Sequence, residues 1–198
     1  MIVNSKKFRL SFNSPVVLWF AIACLIVLIL DKLTGGTTSF TFFSVYRSSL
    51  LSPLTYIRLF GHVLGHANWN HLFNNMMLFL VIGPILEEKY GSSNILYVIL
   101  VTALVTGLIH FIFSPHDRLL GASGVVFAFI LLASITGLKE REIPITFVLV
   151  AVLYLSKQVF ESIFVQDNVA YLTHIIGGIM GTVLGYTLHQ YKMNRYSK

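Results

Sequence analysis

The chain has 198 residues, of which 56% are hydrophobic and only 11% are charged, and its mean hydropathy is +0.77. This composition is far too apolar for a soluble domain. The net charge of +6 does not indicate nucleic-acid binding, because the basic residues concentrate at the chain ends and in short loops, as in membrane proteins. Long apolar runs in lipid favour helices, so we expect an all-α membrane protein.

The first apolar run opens a single membrane domain that we expect to cover residues 1–198. A polar, basic tail over residues 1–14 precedes the run, which extends from Pro15 to about Leu30 and would be a first span if its helix continued to Leu33. A signal peptide is the alternative, but no A-x-A-like cleavage site follows, and the length suits a first membrane span. The lone cysteine, Cys24, lies in this run and has no partner for an internal disulfide.

A long connection follows the first span, from about residue 35 to residue 66. It contains Pro53 and many aromatic residues. It is too apolar for a solvated linker and too broken for a membrane span. We therefore expect a partly helical segment at the membrane interface.

Five further apolar runs predict five more spans, separated by short polar connections. A charged turn ending in Pro144 precedes the fifth span, and a polar loop at residues 166–168 follows it. No internal repeat or low-complexity tract is present. The predicted spans cover residues 70–86, 95–113, 123–138, 145–165 and 170–190, and a basic tail over residues 191–198 follows them.

The lysines and arginines predict the orientation of these spans. Most of the basic residues fall in the two tails, in the loop with Lys89 and in the turn with Lys139 and Arg141. These four segments alternate onto one side, which the positive-inside rule assigns to the cytoplasm. We expect both termini to be cytoplasmic and the protein to be a multi-pass component of the cell membrane.

The residue that most suggests chemistry is Ser123, which stands between two glycines in Gly121-Ala-Ser-Gly124 at the start of the fourth span. A serine there lies beside unpaired backbone N–H groups and the positive end of the helix dipole. That setting suits a nucleophile whose product is an oxyanion. It also suits an N-cap serine in a glycine-rich turn, and this stretch alone leaves both interpretations open.

Polar residues of three spans fall at a similar depth in the predicted topology. His71 and Asn75 are one turn apart near the outer end of the second span. Ser123 begins the fourth span at the same side, and His174 is about one turn into the sixth. Polar groups at membrane depth are costly and usually face a bundle interior or a water-filled cavity, so we expect them to form one site.

Ser123 and His174 have the chemistry of a catalytic pair. A serine needs a base to take its proton, and histidine titrates near neutrality. No acidic residue lies in the outer halves of the second, fourth or sixth spans, so we expect a dyad and not a triad. Candidate donors for the oxyanion are the Ser123 backbone N–H, the Asn75 amide and the His71 imidazole. A hydrogen-bonded packing role is the alternative for His174.

His62, His66 and His71 lie within ten residues and raise the question of a metal site. The sequence has no H-E-x-x-H motif, and the first two histidines fall in the interfacial connection and not on the span of His71. We therefore expect no metal and no other cofactor. A small transporter or metal permease that uses these histidines is a weaker alternative.

Four segments occur in an order that carries a family resemblance. They are His66-Ala-Asn-Trp-Asn-His71-Leu-Phe-Asn-Asn75, Gly83-Pro-Ile-Leu-Glu87-Glu-Lys-Tyr-Gly91, Gly121-Ala-Ser123-Gly124 and His174-Ile-Ile-Gly177-Gly-Ile-Met-Gly181. Together they make the chain resemble the rhomboid intramembrane serine proteases of the minimal six-helix bacterial type, over about residues 58–190. Each segment alone is a weak signal, whereas the ordered set is specific.

The resemblance implies a six-transmembrane-helix rhomboid-like bundle in a bacterial inner or plasma membrane, with an interfacial loop between helices 1 and 2. It implies an intramembrane serine endopeptidase that cuts in or near the transmembrane helices of membrane-protein substrates. Ser123 would be the nucleophile and His174 its general base, while His71 and Asn75 would help to form the oxyanion hole. The partners implied are these substrates and the lipid bilayer, with no nucleic acid.

The resemblance also implies supporting roles. Glycines 121, 124, 177 and 181 would shape the turn and let the fourth and sixth helices approach, as the four-residue spacing of the last two already suggests. Arg58 would pin the first loop, and Glu87 would be architectural. Substrate would enter between helices two and five, with the fifth helix and residues 166–168 as a lid.

Two positions depart from the family pattern. Ile57 stands where the family usually has tryptophan, which leaves the anchoring of the first loop open. Phe127 stands where the family often has a tyrosine that stacks on the catalytic histidine, so we expect the stacking to survive without the hydroxyl. A catalytically inactive rhomboid-like protein that binds transmembrane helices remains the main alternative function.

Overall fold

The computed structural model describes residues 12–114, 116–135 and 168–196, with 145, 148–150, 152, 153 and 156. Over these residues the chain forms helices and no sheet, and one isolated antiparallel bridge pairs Val45 with Leu119. The helices are α1 Pro15–Leu33, α2 Thr37–Phe42, α3 Pro53–Gly61, α4 Trp69–Tyr90, α5 Ser92–Phe113, α6 Ser123–Ile135 and α7 Asn168–Tyr196.

The predicted helical runs agree with the helices that the structure describes. The first, second, third and sixth runs coincide with α1, α4, α5 and α7, and α6 begins at Ser123 as expected. By length and composition α1 and α5 are apolar enough to cross a membrane, and α6 is a shorter apolar helix. The fifth run, residues 145–165, lies largely outside the described residues. The six-span topology and its orientation stay predictions.

The start of α1 is capped by the buried carboxylate of Glu87, near the end of α4. Its oxygens accept the N–H groups of Val16 at 3.0 Å and Val17 at 2.9 Å. The hydroxyl of Ser92, at the start of α5, donates to the same carboxylate over 2.7 Å. Helix starts leave backbone donors without intrahelical partners, so one acidic side chain satisfies donors of two helices and joins them to a third.

The predicted interfacial connection is partly helical, as expected, and contains α2 and α3. The end of α1 holds it, because Oδ1 of Asp31 accepts the N–H of Ser39 in α2 at 2.7 Å. It then folds back on itself so closely that a Cβ on Gly65 would overlap the carbonyl oxygen of Phe43. This connection therefore forms a compact layer beside the helices.

Aromatic rings from three helices form the centre of the core. Phe20 in α1 contacts Phe79 in α4 at a centroid distance of 4.8 Å, and Phe79 stacks on Phe129 in α6 at 5.1 Å. Both Phe79 and Phe129 are fully buried. Large apolar side chains are instead exposed on the outer faces, such as Met77 and Val81 of α4, which is the arrangement expected of helices surrounded by lipid.

Helices α6 and α7 approach through small residues. A Cβ on Gly177 would overlap the carbonyl oxygen of Gly124, and one on Gly181 would overlap that of Ala128. Farther along, a Cβ on Gly185 would lie 2.9 Å from a methyl carbon of Leu132. Glycine at this four-residue spacing lets two helix backbones come into contact, which is the common device of membrane helix pairs.

Candidate active site

Ser123 is the first residue of α6 and is partly buried. The turn before it contains Gly121, whose φ of +133° lies in the region that favours glycine. The Gly121 N–H donates to the carbonyl oxygen of His62 at 2.9 Å, and a Cβ on Gly121 would lie 2.7 Å from Cε1 of His71. Glycine is therefore needed here for its backbone angle and for the space that it leaves to the His71 ring.

His71 and Asn75 lie one turn apart at the start of α4, facing the Gly121 turn. The side-chain oxygen of Asn68 accepts the His71 N–H at 2.9 Å and so caps the helix. Asn75 is 6% exposed, and its amide nitrogen has no hydrogen-bond partner among the described residues. That nitrogen lies 3.9 Å from the position of a Gly121 Cβ. A buried amide donor is thus available next to the turn that presents Ser123.

His174 lies in α7 with its ring against Phe127, one turn along α6 from Ser123. The ring centroids are 4.6 Å apart and the planes are inclined by 53°, so the contact is tilted and not parallel. Aromatic contacts of this kind restrict the orientation of an imidazole ring. The ring that replaces the expected tyrosine therefore does contact the histidine.

The close contact of α6 with α7 brings Ser123 and His174 to the same end of one helix pair. Gly177, three residues after His174, packs on Gly124, the neighbour of Ser123. Thr173 also approaches Gly124, with its methyl carbon 3.5 Å from the position of a Cβ there. The structure therefore gathers residues of α4, α6 and α7 around the Gly121 turn.

His62 and His66 are buried beside this group. The His62 ring nitrogens lie 3.3 Å from the Arg58 carbonyl and 3.3 Å from the Thr106 hydroxyl. Burial lowers the pKa of His62 and that of His66 to about 4, so both are neutral near pH 7. His66 lies edge-on to His71, with ring centroids 5.1 Å apart. No group of three or more His, Cys, Asp or Glu in the described part of the chain could hold a metal ion.

Arg58 anchors the interfacial connection in spite of Ile57. Its Nε donates to the carbonyl of Thr41 at 2.8 Å, and its guanidinium lies 4.3 Å from the ring centroid of Tyr46. Ile57 is 48% exposed and contributes little to this anchoring. Sequence analysis did not single out Tyr46, because nothing in the local pattern indicates its partner.

Comparison with known proteins identifies the family of the chain. A family model described as the Rhomboid domain matches residues 53–191. The chain is 31% identical over 160 residues to Rhomboid-related protein 2 of Mus musculus, covering 70% of this chain and 53% of the relative. It is 26% identical over 177 residues to Rhomboid protease GlpG of Yersinia pestis (strain Pestoides F), covering 87% of this chain and 62% of the relative.

A third relative is Putative rhomboid protease YdcA of Bacillus subtilis (strain 168), 27% identical over 148 residues with 70% of each chain covered. The chain spans about half the length of several curated relatives that it matches. Some relatives have names that include the word protease, whereas others are named only as rhomboid-related or rhomboid-like proteins. Because the family model covers well over half of the sequence, the chain belongs to the rhomboid family of integral membrane proteins.

Proposed function

We propose that this chain is an intramembrane serine endopeptidase that hydrolyses peptide bonds in or near the transmembrane helices of membrane proteins. The observation that carries the proposal is the backbone contact of Gly177 with Gly124. In this contact the helix segments of His174 and Ser123 lie side by side, and the Asn75 amide nitrogen, which has no partner among the described residues, lies next to the same turn. Family membership supplies the chemical precedent, since several relatives are named proteases.

The proposed reaction has two halves. His174 takes the proton of the Ser123 hydroxyl, and Oγ attacks the scissile carbonyl carbon. The negative charge on the carbonyl oxygen is stabilised by the Asn75 amide, the His71 imidazole and the Ser123 N–H. His174 then protonates the leaving amine, which leaves an acyl-enzyme. Water, deprotonated by His174, attacks the acyl carbon and releases the second product and free Ser123.

The substrate chemistry follows from the location of the site in a membrane protein. A helical segment in lipid hides its carbonyl groups in intrahelical hydrogen bonds, so it must unwind locally before Oγ can reach one. Phe73, Met77 and Val81 form an exposed apolar stripe along α4, and such a stripe suits contact with an incoming helix. Entry beside α4 and a lid at residues 166–168 remain part of the proposal, and that loop lies largely outside the described residues.

The six-span topology with both termini in the cytoplasm of a bacterial cell also belongs to the proposal. The length and apolarity of α1 and α5 support two of the spans. The alternating basic loops support the orientation. Reporter fusions after residues 90 and 115 should report opposite sides of the membrane, the first cytoplasmic, and equal signals would refute the topology.

The decisive experiment is cleavage of a model transmembrane substrate by the purified protein in detergent. Ser123→Ala and His174→Ala should abolish cleavage without loss of the folded state. Ser134→Ala is the matched control, because within the described residues its hydroxyl donates to the Ile130 carbonyl of its own helix, α6, at 2.8 Å. Cleavage that persists in purified Ser123→Ala refutes the assignment.

A serine-directed fluorophosphonate separates the protease from the inactive helix-binding alternative. The folded wild-type protein should be labelled at Ser123, whereas Ser123→Ala should not be labelled. Absence of labelling and of cleavage in folded wild-type protein would favour the alternative.

A further inference from the structure

Four side chains from distant parts of the sequence form a stack beside the loop before α6. The rings of Phe40 and Tyr46 are nearly parallel, inclined by 13°, with centroids 5.1 Å apart. The Arg58 guanidinium lies 4.3 Å from the Tyr46 centroid, and that of Arg118 lies 5.3 Å from the Phe40 centroid. Since the two rings face each other, the guanidinium groups flank the stack, which we call the cation–aromatic stack.

The stack is continuous with backbone hydrogen bonds that fix the same loop. Tyr46 follows Val45 and Arg118 precedes Leu119, and Val45 and Leu119 exchange two N–H···O=C bonds of 2.9 Å each. Two residues later, the Gly121 N–H donates to the His62 carbonyl at 2.9 Å. The interfacial connection therefore holds residues 118–121 at three successive points, directly before Ser123.

The end of this loop nearest Ser123, at Gly121, has little space in which to move. A Cβ on Gly121 would lie only 2.7 Å from the His71 ring, so the turn and the ring are already in close contact. At the other end, His116, Asp117 and Arg118 are exposed, and Arg118 reaches back to an aromatic face of α2. A shift of about 1 Å between reacting groups can lower a rate by about 100-fold, so the anchoring of this loop bears on catalysis.

We propose that Arg118 is a positioning residue of the reaction, acting through Phe40 and Tyr46 to fix the loop that carries Ser123 against His71. The proposal rests on the proposed protease function. In this proposal Arg118 acts through the loop and not through contact with the substrate. Its cation–aromatic contact at an exposed site holds one loop conformation, and its loss lets the loop occupy conformations in which Ser123 is misplaced.

The test compares Arg118→Gln with Arg118→Lys in full-length protein, using a fluorogenic transmembrane peptide in detergent. Arg118→Gln should lower kcat by about fivefold, the effect of losing one exposed cation–aromatic contact, with KM unchanged and the melting temperature lowered by no more than about 4 °C. Arg118→Lys retains the cation and should recover most of kcat. A fall in melting temperature well beyond about 4 °C, with kcat per folded molecule unchanged, would instead show a purely structural role and overturn the proposal.

Arg47→Gln is the matched control. Arg47 is also an exposed arginine of the same region, with its guanidinium 5.4 Å from the Phe111 centroid and a 3.1 Å bond to the Ile112 carbonyl. It lies outside the stack, so its loss should leave kcat within about twofold of wild type. Equal effects of the Arg47 and Arg118 changes, or no effect of Arg118→Gln, would overturn the proposal.

A double-mutant cycle tests the route of the effect. Phe40→Leu removes the ring under Arg118, so the double variant with Arg118→Gln should lose no more kcat than the larger single effect. Additive losses would show that Arg118 acts by another route and would overturn the assignment of the stack.

Hydrogen–deuterium exchange separates failure of this proposal from failure of the proposed function. Peptides covering residues 116–122 should exchange faster in Arg118→Gln than in Arg47→Gln, because the Leu119 and Gly121 N–H groups lose protection. If wild-type protein neither cleaves nor reacts with fluorophosphonate, the protease function is refuted. Unchanged exchange in Arg118→Gln would refute the positioning role whatever the activity of the wild type.

Discussion

Gly177 of α7 lies in backbone contact with Gly124 of α6, so closely that any side chain at Gly177 would overlap the Gly124 carbonyl oxygen. We predict that Gly177→Ala separates the helices, lowers stability by about 2 kcal/mol and lowers kcat as well, because overpacking displaces backbone. Urea or thermal unfolding in detergent and peptide cleavage measure the two effects. Gly185→Ala is the control, since its nearest neighbour is the movable end of Leu132, 2.9 Å away. Comparable damage from both changes would contradict the prediction.

Asn75 has a buried amide donor with no partner among the described residues, next to the turn that presents Ser123. We predict that Asn75→Ala lowers kcat by about 100-fold with little change in KM, the usual effect of losing one oxyanion donor. Asn74→Ala is the control, because Asn74 is exposed on the neighbouring position of α4. Steady-state kinetics on the same peptide decide the matter, and a change in KM alone would exclude transition-state stabilisation by Asn75.

Glu87 accepts three hydrogen bonds at a buried position where α1, α4 and α5 meet. In Glu87→Gln, an amide NH₂ replaces one accepting oxygen and faces a donor. We predict a loss of about 2 kcal/mol in unfolding free energy, with kcat per folded molecule unchanged. The neighbouring Glu88 is exposed, so Glu88→Gln should be neutral. Loss of kcat at full stability would show that Glu87 acts on the reaction itself.

His62 makes stability depend on pH. Burial lowers its pKa from 6.5 to about 4, so between these values the unfolded chain binds a proton that the folded chain does not. This group therefore contributes full stability above pH 6.5, and that contribution is lost as the pH falls towards 4. We predict a fall in melting temperature from pH 7 to pH 4.5.

His62→Gln removes this titrating group, and its melting temperature should depend less steeply on pH than that of the wild type. The variant is expected to be less stable at pH 7, because the contact with Thr106 is altered. The comparison therefore uses the slope and not the absolute value. Parallel slopes would show that His62 is not protonated on unfolding.

The helices that were predicted correctly from the sequence are those whose boundaries depend on residues adjacent in the sequence. The apolar run that begins at Pro15 corresponds to α1, which continues through Asp31 and Lys32 to Leu33, and the glycine turn placed the start of α6 at Ser123. Both features depend on residues adjacent in sequence. The site residues themselves were proposed from depth and chemistry, and their catalytic roles remain predictions that the experiments above address.

The elements that sequence analysis did not predict depend on contacts between distant residues. Tyr46 and Arg118 are 72 positions apart in the sequence. The residues that flank each of them give no indication that Phe40 packs between them. The spacing of His62 and His66 raised the question of a metal site, which the sequence argued against, but their burial could not be predicted from that spacing. Hydrogen bonds such as that of Gly121 with the His62 carbonyl form only after the connection has folded back.

The capping of α1 by Glu87 has a consequence for biosynthesis. The N–H groups of Val16 and Val17 find their acceptor 71 and 70 residues later in the chain. Until Glu87 has been synthesised, these two donors lack the acceptor that caps them in the folded protein. The starting turn of α1 is therefore completed only after the chain has been elongated past residue 87.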